Sequence, residues 1–166
     1  MTNQEMNHTC YFQSPLGVME ITANEHALTS IKFLEQDMPI ENTPPTKKYS
    51  LSLAVSQLEK YFEGKLKEFD LPLQLTGTDF QQQVWTEVQK IPFGKTSSYV
   101  QLAEKLGSRD LARAVGTANG NNPFWIVIPC HRVVGNTGEL VGYAGGLWRK
   151  QWLLEHEGCQ MLLPFS

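Results

Sequence analysis

A thiol, an imidazole and a guanidinium stand in succession in Pro129-Cys130-His131-Arg132-Val133-Val134. A free cysteine has a pKa of about 8.5 and only its thiolate is a strong nucleophile, so a basic or cationic neighbour is what makes such a sulfur reactive near neutral pH. His131 is the nearest base in sequence. Adjacent side chains on an extended segment point to opposite faces, which favours a bridging water over a direct bond between the two. A Cys-His pair taken alone fits a packed, inert thiol better than a nucleophile. The other cysteines, Cys10 and Cys159, bring the total to three at wide spacing. That count suggests neither a disulfide framework nor a zinc knuckle, and reduced thiols point to a cytoplasmic protein.

The elements that must position the thiol fall into an N-terminal and a C-terminal group. In the N-terminal group Ser14-Pro15-Leu16-Gly17 reads as a turn, followed by alternating Val18 to Thr22 and then Leu28 to Leu34, the pattern of an antiparallel meander. Residues 35–48, with Pro39, Pro44 and Pro45, carry no period and read as an exposed loop. Leu51, Ala54, Val55, Leu58 and Phe62 then recur at helical spacing until Gly64. Residues 69–75 alternate around Pro72, which suits an edge strand, and Thr76-Gly77 ends the domain. The expected division is an N-terminal α/β domain over 1–77 and a helical domain over 78–166, an α+β chain overall.

The C-terminal group opens differently. Capping boxes at Thr78-x-x-Gln81 and Ser98-x-x-Gln101 each start a helix. The second helix is short and stops at Gly107; Ser108 then caps a third over 109–119, rich in Ala112, Ala114, Gly116, Thr117 and Ala118. Two short helices joined by a tight glycine turn meet the requirement of a helix-turn-helix, and small side chains let a recognition helix approach DNA closely; an ordinary αα corner has the same pattern. Ile126-Val127-Ile128 is an apolar run of strand type that would deliver the chain to Cys130.

Composition bounds the partners. The 166 residues are 41% hydrophobic and 19% charged, enough for a proper core. No stretch of about 18 apolar residues would span a membrane, and residues 1–8 lack the marks of a secretion signal. A net charge of −3 argues against a polycation that coats DNA indiscriminately. The balance is uneven: residues 79–150 hold eight Lys/Arg against five Asp/Glu, and the remainder six against twelve.

Beyond these local patterns, Pro129-Cys130-His131-Arg132-Val133 resembles the signature of the O6-alkylguanine-DNA alkyltransferases, the methylated-DNA–protein-cysteine methyltransferases. The likeness continues, in order and spacing, through Ser98-Tyr99-x-x-Leu102-Ala103, Ala112-Arg113-Ala114-Val115-Gly116, Asn122-Pro123, Gly142-Tyr143-Ala144-Gly145-Gly146 and Trp152 to Gly158. In the N-terminal domain it rests on Ser14-Pro15-Leu16-Gly17 and the general layout.

The resemblance implies direct, single-use repair: an alkyl group passes from O6 of guanine in DNA, or from O4 of thymine, to Cys130. It implies a winged-helix-like domain whose helix-turn-helix enters the minor groove of double-stranded DNA, with Ala112, Ala114 and Thr117 on the contact helix and Arg113 filling the gap left by an extruded nucleotide. An extruded base costs a few kcal/mol, less when damage has weakened its pairing. Tyr99 matches the tyrosine that crowds the target phosphate and offers its hydroxyl to the base. His131, through water, would accept the thiol proton and Glu157 would orient the imidazole. Asn122 matches the residue tying recognition helix to active-site segment, though Asn before Pro also makes a plain turn. Pro129, Arg132, Val133, Tyr143, Ala144 and Gly145 would line or support the pocket. Trp125, bulky where some relatives carry a smaller residue or Pro, is expected to limit entry of large alkyl groups. Asn24 stands where some relatives have a zinc ligand, so neither metal nor cofactor is expected. The family likeness implies a monomer, with cooperative assembly on DNA left open.

Overall fold

The computed structural model describes residues 7–35 and 49–159, and the chain folds as two compact units, residues 1–75 and 76–166. In the first, β1 (His8–Ser14), β2 (Gly17–Ala23) and β3 (Leu28–Phe33) form an antiparallel sheet in sequence order. Ser14 pairs with Gly17 at the hairpin end, where the Ser14 hydroxyl donates to the Gly17 carbonyl (2.7 Å) and accepts from the Leu16 N–H (3.1 Å). Gly17 has φ +116°, a conformation that side chains with a Cβ rarely adopt, so this turn needs its glycine. Helix α1 (Tyr49–Phe62) buries Leu51, Ala54, Leu58 and Tyr61. The face is thus rotated slightly from the expected one: Tyr61 is inside, while Phe62 is half-buried and packs edge-on to the Tyr61 ring.

The expected edge strand over 69–75 is corrected to one bridge. Leu73 pairs in parallel with Leu28, through Leu28 N–H to Pro72 O (2.8 Å) and Gln74 N–H to Leu28 O (2.9 Å). Pro72 has no N–H to extend the ladder. Most of the expected loop over 35–48 lies outside the described residues. Asn24 spends its amide locally, donating to Gln74 Oε1 (2.6 Å) and accepting from the His26 and Ala27 N–H groups (2.8 Å each).

The second unit is built on helices. Both capping boxes form: Thr78 opens α2 (Asp79–Gln89) and Ser98 opens α3 (Tyr99–Lys105). After the turn at Gly107, whose φ is +122°, the expected third helix is split. A 3-10 turn (Arg109–Leu111), capped by Ser108, leads into α4 (Ala112–Gly120). The α3–turn–α4 pair has the helix-turn-helix order. Val84, Trp85 and Val88 of α2 are buried, and the Trp85 indole N–H donates to Ala118 O of α4 (2.9 Å). Two-residue strands β4 (Ser97–Ser98) and β5 (Val133–Val134) pair in parallel and bring the start of α3 beside the segment after Cys130. Helix α5 (Leu147–His156) closes the unit.

Residues 126–128 form turns rather than the expected strand. Ile126 and Ile128 are buried, so the apolar run marks burial correctly and strand wrongly. Ile126 has φ +74°, a strained value for a β-branched residue. Asn122 holds the turn in place: its side chain donates to Ile128 O (2.7 Å) and Phe124 O (3.3 Å) and accepts from the Phe124 N–H (2.8 Å).

Candidate active site

Cys130 opens a 3-10 turn (Cys130–Arg132), not an extended segment. Successive side chains there are separated by about 120° rather than pointing to opposite faces. Cys130, His131 and Arg132 are all buried, with 4% of the cysteine exposed. Burial pushes the thiol up to about 11, against opposing pulls from the Asn122 side chain and the Lys150 charge. The resting group is therefore a protonated thiol, and any nucleophilic role requires a base.

The imidazole is built for that task. His131 Nε2 lies 2.7 Å from Glu157 Oε2, across 26 residues of sequence. Glu157 also accepts from Arg132, by Nε to Oε1 (2.7 Å) and by a second guanidinium nitrogen to Oε2 (3.1 Å). Arg132 further donates to the Ile91 carbonyl (2.7 Å). Burial opposes ionisation of Glu157, but the hydrogen bonds and charges of His131 and Arg132 outweigh it and bring the carboxyl down to about 2. Burial, stronger than the pull of Glu157, lowers the pKa of His131. A neutral ring facing a carboxylate carries its proton on Nε2, which leaves Nδ1 as a lone-pair acceptor.

Three buried side-chain polar atoms have no hydrogen-bond partner among the described residues: Asn119 Oδ1, His131 Nδ1 and the Tyr143 hydroxyl. All three belong to the surroundings of Cys130. Asn119 donates from Nδ2 to the Cys130 carbonyl (3.3 Å), His131 is the next residue, and Tyr143, pushed up first by burial, is near enough to feel the charge that Cys130 carries once ionised. An unsatisfied buried polar atom costs about 1–3 kcal/mol. Three on residues that neighbour Cys130 mark a place prepared for groups the protein itself does not supply.

Tyr99, the first residue of α3, is half-buried and donates its hydroxyl to Val141 O (3.1 Å). Its pKa is raised by burial and by the charge that Cys130 carries once ionised, with a counter-pull from the Asn119 side chain. Trp125 donates to Asn122 O (3.1 Å) and its ring lies 6.2 Å from that of Tyr143. A Cβ on Gly145 would stand 2.9 Å from the Tyr143 ring, so glycine permits that approach. Pro129 and Val133 are buried, whereas Ala144 is exposed. On α4, Arg113, Ala114 and Thr117 face solvent and Ala112 is half-buried; Arg113 makes no ion pair among the described residues. A concavity of about 510 Å³ lined by Lys90, Ile91, Ser97, Gln101 and Lys105 does not include Cys130. Among the described residues no group of three or more His, Cys, Asp and Glu is placed to hold a metal ion.

Two residues of the site escape the sequence reading. Lys150, fully buried, uses all three ammonium hydrogens on carbonyls: Val133 O (2.6 Å), Val141 O (3.0 Å) and Gly142 O (3.0 Å). Burial lowers its pKa to about 8, with the charge that Cys130 carries once ionised acting the other way. It fastens the segment after Cys130 to the segment before Tyr143. The signal was its spacing, since Lys150 shares the buried stripe of α5 with Leu153 and Leu154. Asn119 likewise shares a stripe of α4 with Val115 and Ala118. Replacing Lys150 with Met leaves three carbonyls without their donor, so Lys150→Met is expected to lower unfolding stability by about 1–3 kcal/mol in urea titration. An unchanged midpoint and slope would show that the clamp contributes nothing.

A helix-turn-helix unit that carries a buried Cys-His-carboxylate cluster beside its recognition helix defines a class of protein in which DNA binding and thiol chemistry share one unit. The chain belongs to the 6-O-methylguanine DNA methyltransferase family: residues 79–159 match its DNA binding domain and residues 7–75 its ribonuclease-like domain. It is 46% identical to the methylated-DNA–protein-cysteine methyltransferase of Mycobacterium tuberculosis over 92% of this chain and 93% of that one. The crystal structure of the M. tuberculosis O6-methylguanine methyltransferase superposes with a TM-score of 0.81 at 46% identity, over 92% and 93% of the two chains. A structure of the M. tuberculosis protein in complex with DNA gives 0.81 at 44% identity, over 91% and 92%.

Proposed function

We infer that this protein repairs DNA by accepting onto Cys130 the alkyl group carried by O6 of guanine. The observation that carries this reading is the set of three unpartnered polar atoms on residues that neighbour Cys130, the cysteine followed directly by a base. His131 Nδ1 takes the thiol proton through one water molecule, while Glu157 holds Nε2–H and balances the imidazolium that forms. The thiolate then attacks the alkyl carbon in line with the departing O6. The carbon–oxygen bond breaks as the carbon–sulfur bond forms, and guanine leaves as an anion. Tyr99 donates to N3 of that base and stabilises the developing charge. The product is a thioether, neither a leaving group nor a substrate for the nearby base, so each molecule acts once.

Access to the thiol runs through the elements that border it. The exposed face of α4 presents Ala114 and Thr117 to the minor groove of double-stranded DNA, and Arg113 takes the place of the extruded nucleotide, its planar cation stacking on the neighbouring bases. Cys130 is reached past residues 141–146, where Gly142 and Gly146 have φ +59° and +92°. Pro129, Val133 and Ala144 line the way, and Arg132 and Asn122 support it. The protein acts as a monomer without metal or cofactor. Among the described residues no helix is long and apolar enough to cross a membrane, and a reactive thiol suits the reducing cytoplasm.

Incubation with a duplex bearing one O6-methylguanine tests the reading by intact-protein mass. One added methyl per molecule, and no more with excess DNA, is the expected result; a folded sample that gains nothing would overturn it. Trp125 sets an upper limit on the group transferred. Trp125→Ala is expected to speed inactivation by free O6-benzylguanine by on the order of 10-fold, as removal of a bulky ring opens the approach. Equal rates in the two proteins would reject the limit.

A further inference from the structure

Of the two unpartnered atoms that the chemistry above does not use, Asn119 Oδ1 and the Tyr143 hydroxyl, Asn119 Oδ1 is the one that can only accept. Its orientation follows from its neighbour: the side chain meets the Cys130 carbonyl, an acceptor, so the NH₂ must face it and the oxygen is left over. With the residue 5% exposed, water does not serve that oxygen freely. The same amide borders the Tyr99 hydroxyl, whose ionisation it eases. The amide that bears this unpartnered oxygen thus borders both the sulfur-bearing residue and the phenol.

We propose that Asn119 Oδ1 accepts a hydrogen bond from the exocyclic amine of the extruded guanine and so selects this base over others. The inference rests on the alkyl-transfer reading and on Tyr99 meeting N3. Carbon 2, which bears the amine, adjoins N3, so a base whose N3 faces the phenol brings its amine to the neighbouring amide. Alkylation at O6 removes the proton from N1, and the amine is then the only N–H donor on the ring. A thymine alkylated at O4 has no N–H donor at all. Asn119 therefore distinguishes the two lesions by offering an acceptor that one satisfies and the other leaves bare, and sites that hydrogen-bond a substrate reject analogues lacking the group.

Single-turnover alkyl transfer from two otherwise identical duplexes, one with O6-methylguanine and one with O6-methylhypoxanthine, tests this directly. Hypoxanthine differs only in lacking the amine. The native protein is expected to react on the order of 10-fold faster with the guanine lesion. In Asn119→Leu the guanine rate falls to the hypoxanthine rate and the ratio collapses to about one; Asn119→Ala behaves alike and serves if the leucine variant fails to fold. The ratio of the two rates on one protein sample does not depend on the fraction of active protein, so partial misfolding cannot imitate the collapse. A native ratio near one, or a variant that keeps the native ratio, overturns the role of Asn119 and leaves the repair reading intact. No transfer from either duplex in native protein removes the repair reading and this inference with it.

Discussion

Replacing Cys130 with serine is expected to abolish the methyl gain in intact mass and to lower the single-turnover rate by about 10^4-fold or more. Serine preserves the volume and a hydroxyl for hydrogen bonding, so the fold and the 3-10 turn at Cys130–Arg132 are retained. It lacks the polarizable thiolate. Burial already pushes the thiol up to about 11, and an alcohol starts from a far higher pKa, beyond what His131 can deprotonate. DNA binding is read separately by anisotropy and is expected to be native-like, since the surfaces of α3 and α4 are untouched. Retention of the methyl mark in the serine variant would place the acceptor elsewhere. Cys10, whose thiol burial alone pushes up to about 11, and Cys159 would then be the candidates.

The second large effect belongs to Glu157. Glu157→Gln keeps the shape but removes the charge shared by His131 and Arg132. Arg132 is left buried without its counter-charge, and breaking such a pair costs about 3–5 kcal/mol. The amide NH₂ can also turn toward His131 and force the ring proton from Nε2 to Nδ1, which deprives the thiol of its base. Alkyl transfer is expected to slow by at least about 10^2-fold, and the urea midpoint to fall. The pH dependence has a definite sign. The folded carboxyl is held at about 2 against an ordinary 4.5, so the stabilisation is complete above 4.5 and is lost as the pH falls toward 2. The native protein should show that acid loss and the glutamine variant should not. Identical acid profiles would remove Glu157 from the account.

Much of the fold was legible because it is encoded locally. The capping boxes at Thr78 and Ser98 formed as read, since each needs only a side chain and an N–H three residues away. The same holds for the Ser14–Gly17 turn and the meander it begins. Where reading failed, the deciding contact was distant or conformationally costly. The run at 126–128 has strand composition, yet Asn122 holds it in a turn with Ile126 at positive φ. The segment around Leu73 pairs once and stops at Pro72.

By itself the sequence determined which atoms are available for the chemistry: one thiol beside one imidazole, on a chain whose ordered motifs carry a family likeness. Composition and spacing are properties of the chain, so they can be read before it folds. Only the tertiary structure decided the state of those atoms. It placed Glu157 on His131 across 26 residues, buried the resting thiol, spent Lys150 on three carbonyls and left Asn119 Oδ1 unpaired. Burial and long-range hydrogen bonding set protonation and unmet valence, and both depend on what packing brings within about 3 Å.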